Sequence, residues 1–507
     1  MNRGVIEDAA RRTILCLVNS AAFNRPYFEQ LRPLLETRGF DVVFALDSHL
    51  SDYMYANGRA LEGARYFSDF TRSQLPQLGR LPSSTDHRWG SLFSDFDRFL
   101  TMNIRPPLRP GGPLRYSHIP GLLEAFFREI FAAVKPCAVL YEQVSNSFAI
   151  AANRQAELEG VPFCSVAPAR IPGRIEISLT GAIEDHVAVG QILERARCLP
   201  LKEESLQVAA SYIQTIDQQV PDYMKSGGAG MMLGQTSLVG RYAKFEKFEQ
   251  LRRAWQYTRS SRADWQLAYQ HGDPLHLSRA YFMRSLRRWL RAPFVRPRYL
   301  RQIGEDPFLL YPLHFHPEAS TSVLAADFVD ELAVIKSIAF RLPVNVRLAV
   351  KEHPSAVAMQ PRDFYRQLSE LPNVVLLAAD LPAKELARRS RGVICVTSTL
   401  GFEAAVLNRP VIALGDVLYG YYPNVRMISN YSQLAEAIDW ALAYEPVPPA
   451  ELLLATAAYA EFTAPGSFDF RASLGDTTAL ASVADLLTRR LNDAQLEAAG
   501  RGEALLQ

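Results

Sequence analysis

The feature that most constrains this chain is a regular alternation of short apolar runs and helical patterns, which begins at Phe308 and continues to Ala443. The apolar runs are rich in Val, Ile and Leu without a polar face, which is typical of parallel strands covered by helices on both sides. We therefore predict strands at 308–313, 347–351, 374–378, 393–397 and 411–414. The helices predicted between and after them are 325–340, 363–371, 383–389, 401–407 and 432–443.

The same rhythm appears in the N-terminal part, with predicted strands at 13–19, 41–46, 138–142 and 163–166. A chain of 507 residues with 48% apolar residues is large enough for two hydrophobic cores. We predict an α/β protein with two Rossmann-like domains that face a cleft. The expected division is an N-terminal α/β domain at 1–194, a helical basic insertion at 195–305, a C-terminal α/β domain at 306–445, and helices at 446–507 that pack back across the domains.

The charge is almost balanced, with 55 Lys and Arg against 53 Asp and Glu, which argues against nucleic acid as a partner. The insertion departs from this balance, because residues 241–301 hold fifteen Lys and Arg against four Asp and Glu, interleaved with aromatic side chains. We expect this segment to lie against an anionic surface, either the inner membrane or an acidic glycolipid. The alternative is a solvated helical face.

The five cysteines have no metal-like spacing, and no apolar run reaches the length of about 18 residues that a membrane-spanning helix needs. The N-terminal apolar stretch is too short for a secretory signal. The sequence therefore predicts a cytoplasmic protein, with at most a peripheral contact at the inner membrane.

The most informative segment is ICVTSTLGFEAAVLNRPVIALG, where a buried strand runs into Ser398 and Thr399 and a helix begins near Gly401. A helix N-terminus offers unpaired backbone N–H groups and partial positive charge, so this turn can hold a phosphate. Glu403, in the first turns, can reach the ribose of the same nucleotide. The structural alternative is that Ser398 is an N-cap and Glu403 a first-turn acid.

A second segment, VRLAVKEHP, ends a strand directly before Lys351 and His353. Both side chains can neutralise a phosphate leaving group without metal. The alternative for His353 is a hydrogen-bonded structural role.

A third segment, LYPLHFHPEAST, leaves a strand with His314, His316 and Glu318 in quick succession. A metal site is disfavoured because no further Cys or His cluster lies near in sequence. We predict a polar loop that lines the cleft.

In the N-terminal half, Glu142 ends a strand in VLYEQVSNS, where a carboxylate can act as a general base or nucleophile in glycosyl chemistry. Asn19 ends the first strand in the same way. Arg170 and Arg174 follow the fourth strand and can bind a sugar carboxylate. The alternatives are a capping acid at Glu142 and exposed arginines.

Taken together, PLHFHPEAST, VKEHP and TSTLGFEAAVLNRPVIALG resemble the nucleotide-binding half of the bacterial capsule polysaccharide biosynthesis family, which includes retaining β-Kdo transferases. The HP and Ser/Thr elements are also similar to those with which bacterial sialyltransferases of GT-B-like fold hold the CMP phosphate. The resemblance implies that His353, Ser398 and Thr399 bind the donor phosphate and that Glu403 binds the donor ribose.

By this resemblance the chain is expected to be a glycosyltransferase that moves Kdo or a related acidic sugar from a CMP-activated donor to a surface polysaccharide or glycolipid acceptor, without metal or another cofactor. The domain at 1–194 is then the acceptor-side domain, and the domain at 306–445 binds the nucleotide sugar. Family members often carry an acidic pair in the N-terminal half, whereas here Glu142 is followed by Gln143. Glu184 and Asp185 form a pair in a context that matches the family less well. The competing hypotheses are a sugar-nucleotide epimerase and a nucleotide-binding subunit without catalytic activity.

Overall fold

The computed structural model describes residues 11–19, 21–80, 116–181, 185–222, 244–315 and 318–504. Two sheets, each with helices packed on it, form the centres of two α/β domains. The predicted fold class is therefore confirmed.

The N-terminal sheet has seven strands in the order β13-β6-β5-β4-β1-β2-β3. Leu15 of the first strand lies opposite Val43 and Val139, and the central pairs are parallel. The sixth and thirteenth strands run antiparallel to their neighbours. The bounds of the strands are β1 Arg12–Val18, β2 Phe40–Leu46, β3 Arg65–Tyr66, β4 Ala138–Tyr141, β5 Phe163–Pro168, β6 Arg174–Ser178 and β13 Ala464–Pro465.

The C-terminal sheet has six parallel strands in the order β12-β11-β10-β7-β8-β9. Leu310 lies opposite Ala349 and Val393, and all five residues of β7 are buried, as expected of a strand covered on both faces. The strands are β7 Phe308–Pro312, β8 Arg347–Lys351, β9 Val374–Leu377, β10 Gly392–Cys395, β11 Val411–Ala413 and β12 Val425–Met427.

The helices follow the strands along the chain. Those of the N-terminal part are Asn24–Glu36, Leu50–Ala56, Phe67–Gln74, Ile119–Val134, Ser147–Leu158, His186–Ala196 and Glu203–Thr215. The insertion contains Phe245–Ser260, Arg262–Trp265 and Pro274–Val295. The C-terminal part contains Ala319–Ser322, Glu331–Ala339, Arg362–Glu370, Ala383–Arg389, Thr399–Val406, Leu434–Leu442, Pro449–Phe462 and Thr477–Ala504.

One predicted helix is wrong in its bounds. The segment 325–340 is a 3-10 turn at Ala326–Phe328 followed by the helix Glu331–Ala339. Asp330 separates them, because its carboxylate accepts the N–H groups of Leu332 and Ala333 at 3.1 Å each and so caps a new helix.

The insertion covers part of the carboxyl edge of the N-terminal sheet. The Tyr269 hydroxyl lies 2.8 Å from Ser147 Oγ, and Gln270 donates to Asn146 Oδ1 at 3.2 Å. His271 Nε2 lies 2.8 Å from Ser48 Oγ. These buried polar contacts fix the start of the long helix Pro274–Val295 against the sheet.

The last segment of the chain returns to the N-terminal domain. β13 adds to the outer edge of the N-terminal sheet by pairing with β6, and the helix Thr477–Ala504 packs on Asn24–Glu36. Arg38 donates to Asp485 at 2.7 Å across this contact. Among the described helices, none is both long and apolar enough to cross a membrane.

Candidate functional site

Each sheet has one position where the strand order reverses, between β1 and β4 in the first and between β7 and β10 in the second. Ligands of open α/β sheets bind at the carboxyl ends of the strands beside such a reversal. His314 and the turn from Thr397 follow β7 and β10, while Asn19 and Glu142 follow β1 and β4. The topology thus brings the predicted residues to the two edges where binding is expected.

The turn after β10 has the geometry of an anion site. Ser398 caps the helix Thr399–Val406, since its Oγ accepts from the Leu400 N–H at 3.2 Å. A Cβ on Gly401 would lie 2.3 Å from the Tyr419 hydroxyl, which itself donates to the Ser398 carbonyl at 2.8 Å. Glycine is therefore required at 401 because a tyrosine packs against the first turn of the helix.

Arg170 reaches this turn from the other domain. Its Nη1 donates to Thr399 Oγ1 at 3.0 Å, and its guanidinium lies over the Tyr419 ring at 5.6 Å from the centroid. The backbone N–H of Arg170 is held by the Tyr459 hydroxyl at 2.8 Å. Positive charge from the N-terminal domain is thereby placed at a helix N-terminus of the C-terminal domain, where both favour an anion.

His314 lies beneath the turn and is buried. Its Nε2 accepts from the Thr397 N–H at 3.2 Å, so in the neutral ring the proton is on Nδ1, which lies 3.1 Å from Glu331 Oε1. The backbone N–H of His314 also donates to Glu331 at 2.9 Å. His314 thus connects the ends of β7 and β10 and positions the turn, rather than presenting a free nitrogen to the cleft.

His353 is an uncharged donor in this structure. Burial lowers its pKa to about 4, and the nearby charges of Lys351 and Arg288 contribute to the lowering. Nδ1 accepts from the Ser355 N–H at 3.1 Å, so the proton of the neutral ring is on Nε2. His353 can therefore donate one hydrogen bond but does not bring the positive charge that we expected of it.

Lys351 is buried and its ammonium is already bonded. Nζ donates to the Ala379 carbonyl at 2.8 Å, and burial lowers its pKa to about 8. The neighbouring Glu352 accepts from the Tyr299 and Tyr365 hydroxyls at 2.6 and 3.0 Å. Lys351 therefore ties the ends of β8 and β9 together, and its positive charge is directed to backbone carbonyls.

Thr397 is a residue that sequence reasoning did not assign. Its Oγ1 is buried at the end of β10 without a hydrogen-bond partner within the described part of the chain. A buried polar atom without a partner is costly, and a bound water, ion or ligand would supply the missing hydrogen bond. Its place at the turn, not its residue type, is what distinguishes it.

Glu403 is buried one helical turn beyond Ser398. Its carboxylate lies 3.2 Å from Lys384 Nζ, and burial raises its pKa. Lys384 in turn donates to the Ile216 carbonyl at 2.7 Å. Any contact of Glu403 with a ribose would share the carboxylate with this ion pair.

The N-terminal edge carries carboxylates instead of donors. Burial raises the pKa of Glu142 to about 7, and the Ser145 hydroxyl lies 3.5 Å from its Oε1. A narrow cavity is lined by this side chain together with Ser165, Ala167, Glu176, Ser178, Asp185 and Phe462. The carboxyl of Glu142 is thus near the protonation state that suits proton transfer at neutral pH.

The other two carboxylates of this cavity are held by hydrogen bonds. Glu176 accepts from the Tyr459 hydroxyl at 2.6 Å, whereas Asp185 accepts from Ser178 at 2.5 Å and caps the helix that begins at His186. The Oγ of Ser165 is buried there without a hydrogen-bond partner among the described residues. The cavity therefore brings three acids together, and burial raises the pKa of one of them, Glu142, to about 7.

The remaining predicted residues lie as follows. Arg174 does not line the cleft, because its guanidinium binds Thr463 Oγ1 at 2.6 Å and the Ala460 carbonyl at 3.0 Å, at the end of the helix Pro449–Phe462. Asn19 is buried and its Oδ1 accepts from the Ala21 N–H at 2.9 Å. Glu318 is exposed. His316 and Glu184 lie outside the described residues.

One group in the described ranges has the donor set of a cation site. Ligand atoms of His49, Asp69 and Asp264 lie within 4.8 Å of one another. They are engaged with each other, since His49 Nε2 lies 2.9 Å from Asp69 and its backbone N–H donates to Asp264 at 3.0 Å. Burial favours the neutral ring of His49 and so lowers its pKa. The hydrogen bonds to Asp52 and Asp69 raise the pKa by more, to about 9, so the ring is a cation within this cluster.

A wider pocket adjoins the turn at the ends of β11 and β12. Gly415 lies between the two, since a Cβ there would be 3.0 Å from Thr397 Cγ2 and 2.8 Å from Ala325. The pocket is lined by Leu324, Ala325, Ala326, Asp327, Phe328, Leu414, Gly415, Asp416, Met427, Ile428, Ser429 and Gln433. It offers apolar walls with a few polar groups, as small-molecule sites do.

Comparison with known proteins assigns the segment that carries this site. Residues 294–422 match a family model described as "Capsule polysaccharide biosynthesis protein". Over this segment, the chain is similar to the capsule polysaccharide biosynthesis family. A curated relative, the capsule polysaccharide export protein KpsS of Escherichia coli, is 31% identical over 97 residues, which are 18% of this chain and 24% of the relative.

Solved structures are similar at lower identity. The beta Kdo 2,7 transferase KpsC of Thermosulfurimonas dismutans is 12% identical, with 66% of this chain and 80% of that chain covered and a TM-score of 0.35. The UDP-GlcNAc 2-epimerase of Neisseria meningitidis is 12% identical, with 95% and 100% covered and a TM-score of 0.28. The similarity to the capsule polysaccharide biosynthesis family is therefore that of the segment 294–422.

Proposed function

We infer that this protein is a glycosyltransferase of capsule polysaccharide biosynthesis, whose nucleotide-sugar donor binds in the C-terminal domain and whose glycan or glycolipid acceptor enters from the N-terminal domain. The observation that carries the proposal is the meeting of Arg170, Ser398 and Thr399 at the strand reversal of the C-terminal sheet. A helix N-terminus with an arginine beside it suits a phosphate.

The donor in this proposal is a CMP-activated acidic sugar such as Kdo. A CMP-sugar carries one phosphate, which a single helix end, the Arg170 guanidinium and the Nε2–H of His353 are sufficient to bind. Thr397 Oγ1 would gain a partner when the donor is present. These groups supply positive potential without a divalent cation, so full activity in EDTA is expected.

The base and ribose would occupy the pocket beside the turn. Its apolar walls at Phe328 and Leu414 suit a pyrimidine face, while Asp416 and Gln433 offer polar groups to its edge. Glu403 would accept hydroxyls of the ribose while it keeps Lys384, which lies 3.2 Å away.

Glu142 is the proposed catalytic residue. With a pKa of about 7, its carboxylate can take the proton of an acceptor hydroxyl, or attack the sugar in a retaining mechanism. Glu176 and Asp185 share its cavity and would add negative charge near an oxocarbenium-like centre.

The test is incubation of the full chain with CMP-Kdo, CMP-sialic acid and several UDP-sugars, each with and without a capsule glycolipid fraction, while nucleotide release is measured. We expect CMP release that depends on the acceptor and is unchanged by EDTA. Conversion of a UDP-sugar without acceptor would identify an epimerase, and donor binding without release under every condition would identify a subunit without catalytic activity. A strict requirement for Mg²⁺ or Mn²⁺ would contradict the metal-free site.

A further inference from the structure

The insertion presents apolar side chains to solvent at an unusual density. Within the described residues, ten of the twenty large hydrophobic side chains that are exposed lie between 245 and 300. They are Phe245, Phe248, Leu251, Trp255, Tyr281, Phe282, Trp289, Leu290, Phe294 and Leu300. Contiguous exposed apolar surface of this kind marks a contact with a protein or a membrane.

The first helix of the insertion concentrates these side chains on one face. Phe245, Phe248, Arg252, Trp255 and Arg259 follow one another at intervals of three and four residues, which places them along a single stripe. Phe245 and Phe248 are 77% and 64% exposed, and Trp255 is 49% exposed. The stripe is therefore both aromatic and cationic, and it points away from the protein.

The opposite face of the same helix is held by the N-terminal domain. Ala254 and Tyr257 are buried, the Tyr257 hydroxyl bonds Asp264, and Arg253 donates to the Met54 carbonyl. The domain thus fixes the orientation of the helix, so the aromatic stripe does not turn inward to be covered.

The long helix Pro274–Val295 extends this surface, since it packs alongside Phe245–Ser260. Its exposed side chains include Phe282, Trp289, Arg279 and Arg287, with Trp289 57% exposed. Phe282 and Trp289 are seven residues apart and so lie on one side of the helix, with Arg279 near them. We call the exposed residues of these two helices the aromatic-basic surface.

The charge on this surface is mostly positive. The two helices expose five Lys and Arg side chains against a single exposed acid, Glu246, and five more exposed Lys and Arg flank the helices among the described residues of 244–301. Of the other acids, Asp264 is buried, Asp273 caps the long helix, and Glu249 pairs with Arg252 at 2.9 Å. A solvated face with mixed charges would not have this composition.

We propose that the aromatic-basic surface binds the anionic face of a phospholipid bilayer, with its aromatic rings at the level of the headgroups. Aromatic rings prefer that level, while each Lys or Arg near an anionic surface adds attraction. A protein partner would match one defined set of pockets, whereas a bilayer suits rings and cations spread along two packed helices. The proposal is independent of the donor site, because no residue of the surface lies in it.

Flotation of the full chain with vesicles tests this. We expect binding to vesicles of equal parts phosphatidylcholine and phosphatidylglycerol, weak binding to phosphatidylcholine alone, and weakening as salt rises past ~0.1 M, where the Debye length is about 10 Å. Trp255 and Trp289 are two of the five tryptophans, so their fluorescence should shift to shorter wavelength on binding.

Two sets of variants separate the two parts of the proposal. Phe248→Gln/Trp255→Gln removes the apolar part, and its matched control is Phe340→Gln/Val344→Gln, at positions 73% and 103% exposed in the other domain. Lys247→Gln/Arg259→Gln/Arg287→Gln removes three charges, and Arg195→Gln/Arg341→Gln/Arg489→Gln removes three exposed charges elsewhere. The triple charge variant should bind the anionic vesicles roughly 100-fold more weakly, because the loss of each cation weakens binding about fivefold. Both control variants should bind like the wild type.

Three results would overturn the proposal. Equal failure to bind anionic and neutral vesicles at low salt would exclude the bilayer as the occupant. Wild-type binding by the Phe248→Gln/Trp255→Gln variant would exclude insertion of the rings. Equal weakening by the control triple variant would assign the attraction to net charge instead of to this surface.

Discussion

The two sheets of this molecule reverse their strand order in the same way but carry opposite chemistry at the reversal. At the C-terminal sheet the strand ends lead to donors, namely the helix end at Ser398 and the Nε2–H of His353, and Arg170 adds positive charge from the N-terminal domain. At the N-terminal sheet they lead to the acids Glu142, Glu176 and Asp185. The shared topology fixes where a site forms, whereas the side chains at the strand ends decide what it binds.

The two edges also share a feature, which is a buried hydroxyl. Each edge has one without a hydrogen-bond partner in the described part of the chain, Thr397 in the C-terminal domain and Ser165 in the N-terminal domain. Since such groups destabilise the protein alone, both edges are consistent with ligand binding. The edge of the C-terminal sheet can therefore be tested for donor binding, and the edge of the N-terminal sheet for catalysis.

The largest expected effect is at the acidic edge. Glu142→Gln keeps the size of the side chain but removes its charge and basicity, so transfer should fall roughly 10²- to 10⁴-fold while donor affinity is retained. Turnover and donor binding are measured separately, with Glu159→Gln as an exposed control. Wild-type transfer by Glu142→Gln would eliminate this residue and leave Glu176 and Asp185 to be tested.

Substitutions at the edge of the C-terminal sheet should lower donor affinity, whereas Glu142→Gln should lower the transfer rate. His353→Ala and Ser398→Ala each remove a hydrogen bond to a charged group, worth about 1.5–3 kcal/mol, so donor affinity should fall roughly 10- to 150-fold. Ser398 is also an N-cap, so its variant should lose about 1 kcal/mol of unfolding free energy. Calorimetric titration with CMP measures the affinity, and Ser369→Ala serves as control. If both variants bind CMP like the wild type, the phosphate site lies elsewhere.

The pH dependence separates the two edges further. Because the pKa of Glu142 is raised to about 7, a base in this position is protonated below that pH and ionised above it. The rate should therefore rise roughly tenfold per pH unit up to about pH 7 and then level, and this limb should be absent in Glu142→Gln. His353, with its pKa near 4, should add no titration between pH 6 and 8. A rate that falls through pH 7 would make Glu142 an acid.

The smallest effects are expected at the two hydroxyls. Thr397→Val and Ser165→Ala each remove a buried hydroxyl that has no hydrogen-bond partner among the described residues, so the free energy of unfolding should be unchanged or slightly raised. Thr397→Val should weaken donor binding and Ser165→Ala should slow transfer, each roughly two- to tenfold. Thermal unfolding and kinetics of both variants give the comparison. If both variants changed the same parameter, either donor affinity or transfer rate, the two edges would not divide donor binding and catalysis between them.

The sequence by itself determined the two α/β domains, the helical insertion and the strand ends where polar residues gather. Apolar runs such as 308–313 and 393–397 have the length and composition of strands covered on both faces, and this pattern is local enough to be seen without the fold. The resemblance of the segments around His353 and Ser398 likewise lies in consecutive residues. The matched segment, residues 294–422, contains both.

Only the tertiary structure decided what those residues can do. Arg170 reaches Thr399 across a separation of 229 residues, and Arg174, four residues further, is taken up by a helix end instead. Burial keeps His353 uncharged, although a positive charge was expected there. Lys351 is not a free cation, because its ammonium donates to the Ala379 carbonyl. Charge, burial and hydrogen-bond partners come from residues distant in the chain, so a local pattern names the candidates but does not assign their protonation or their contacts.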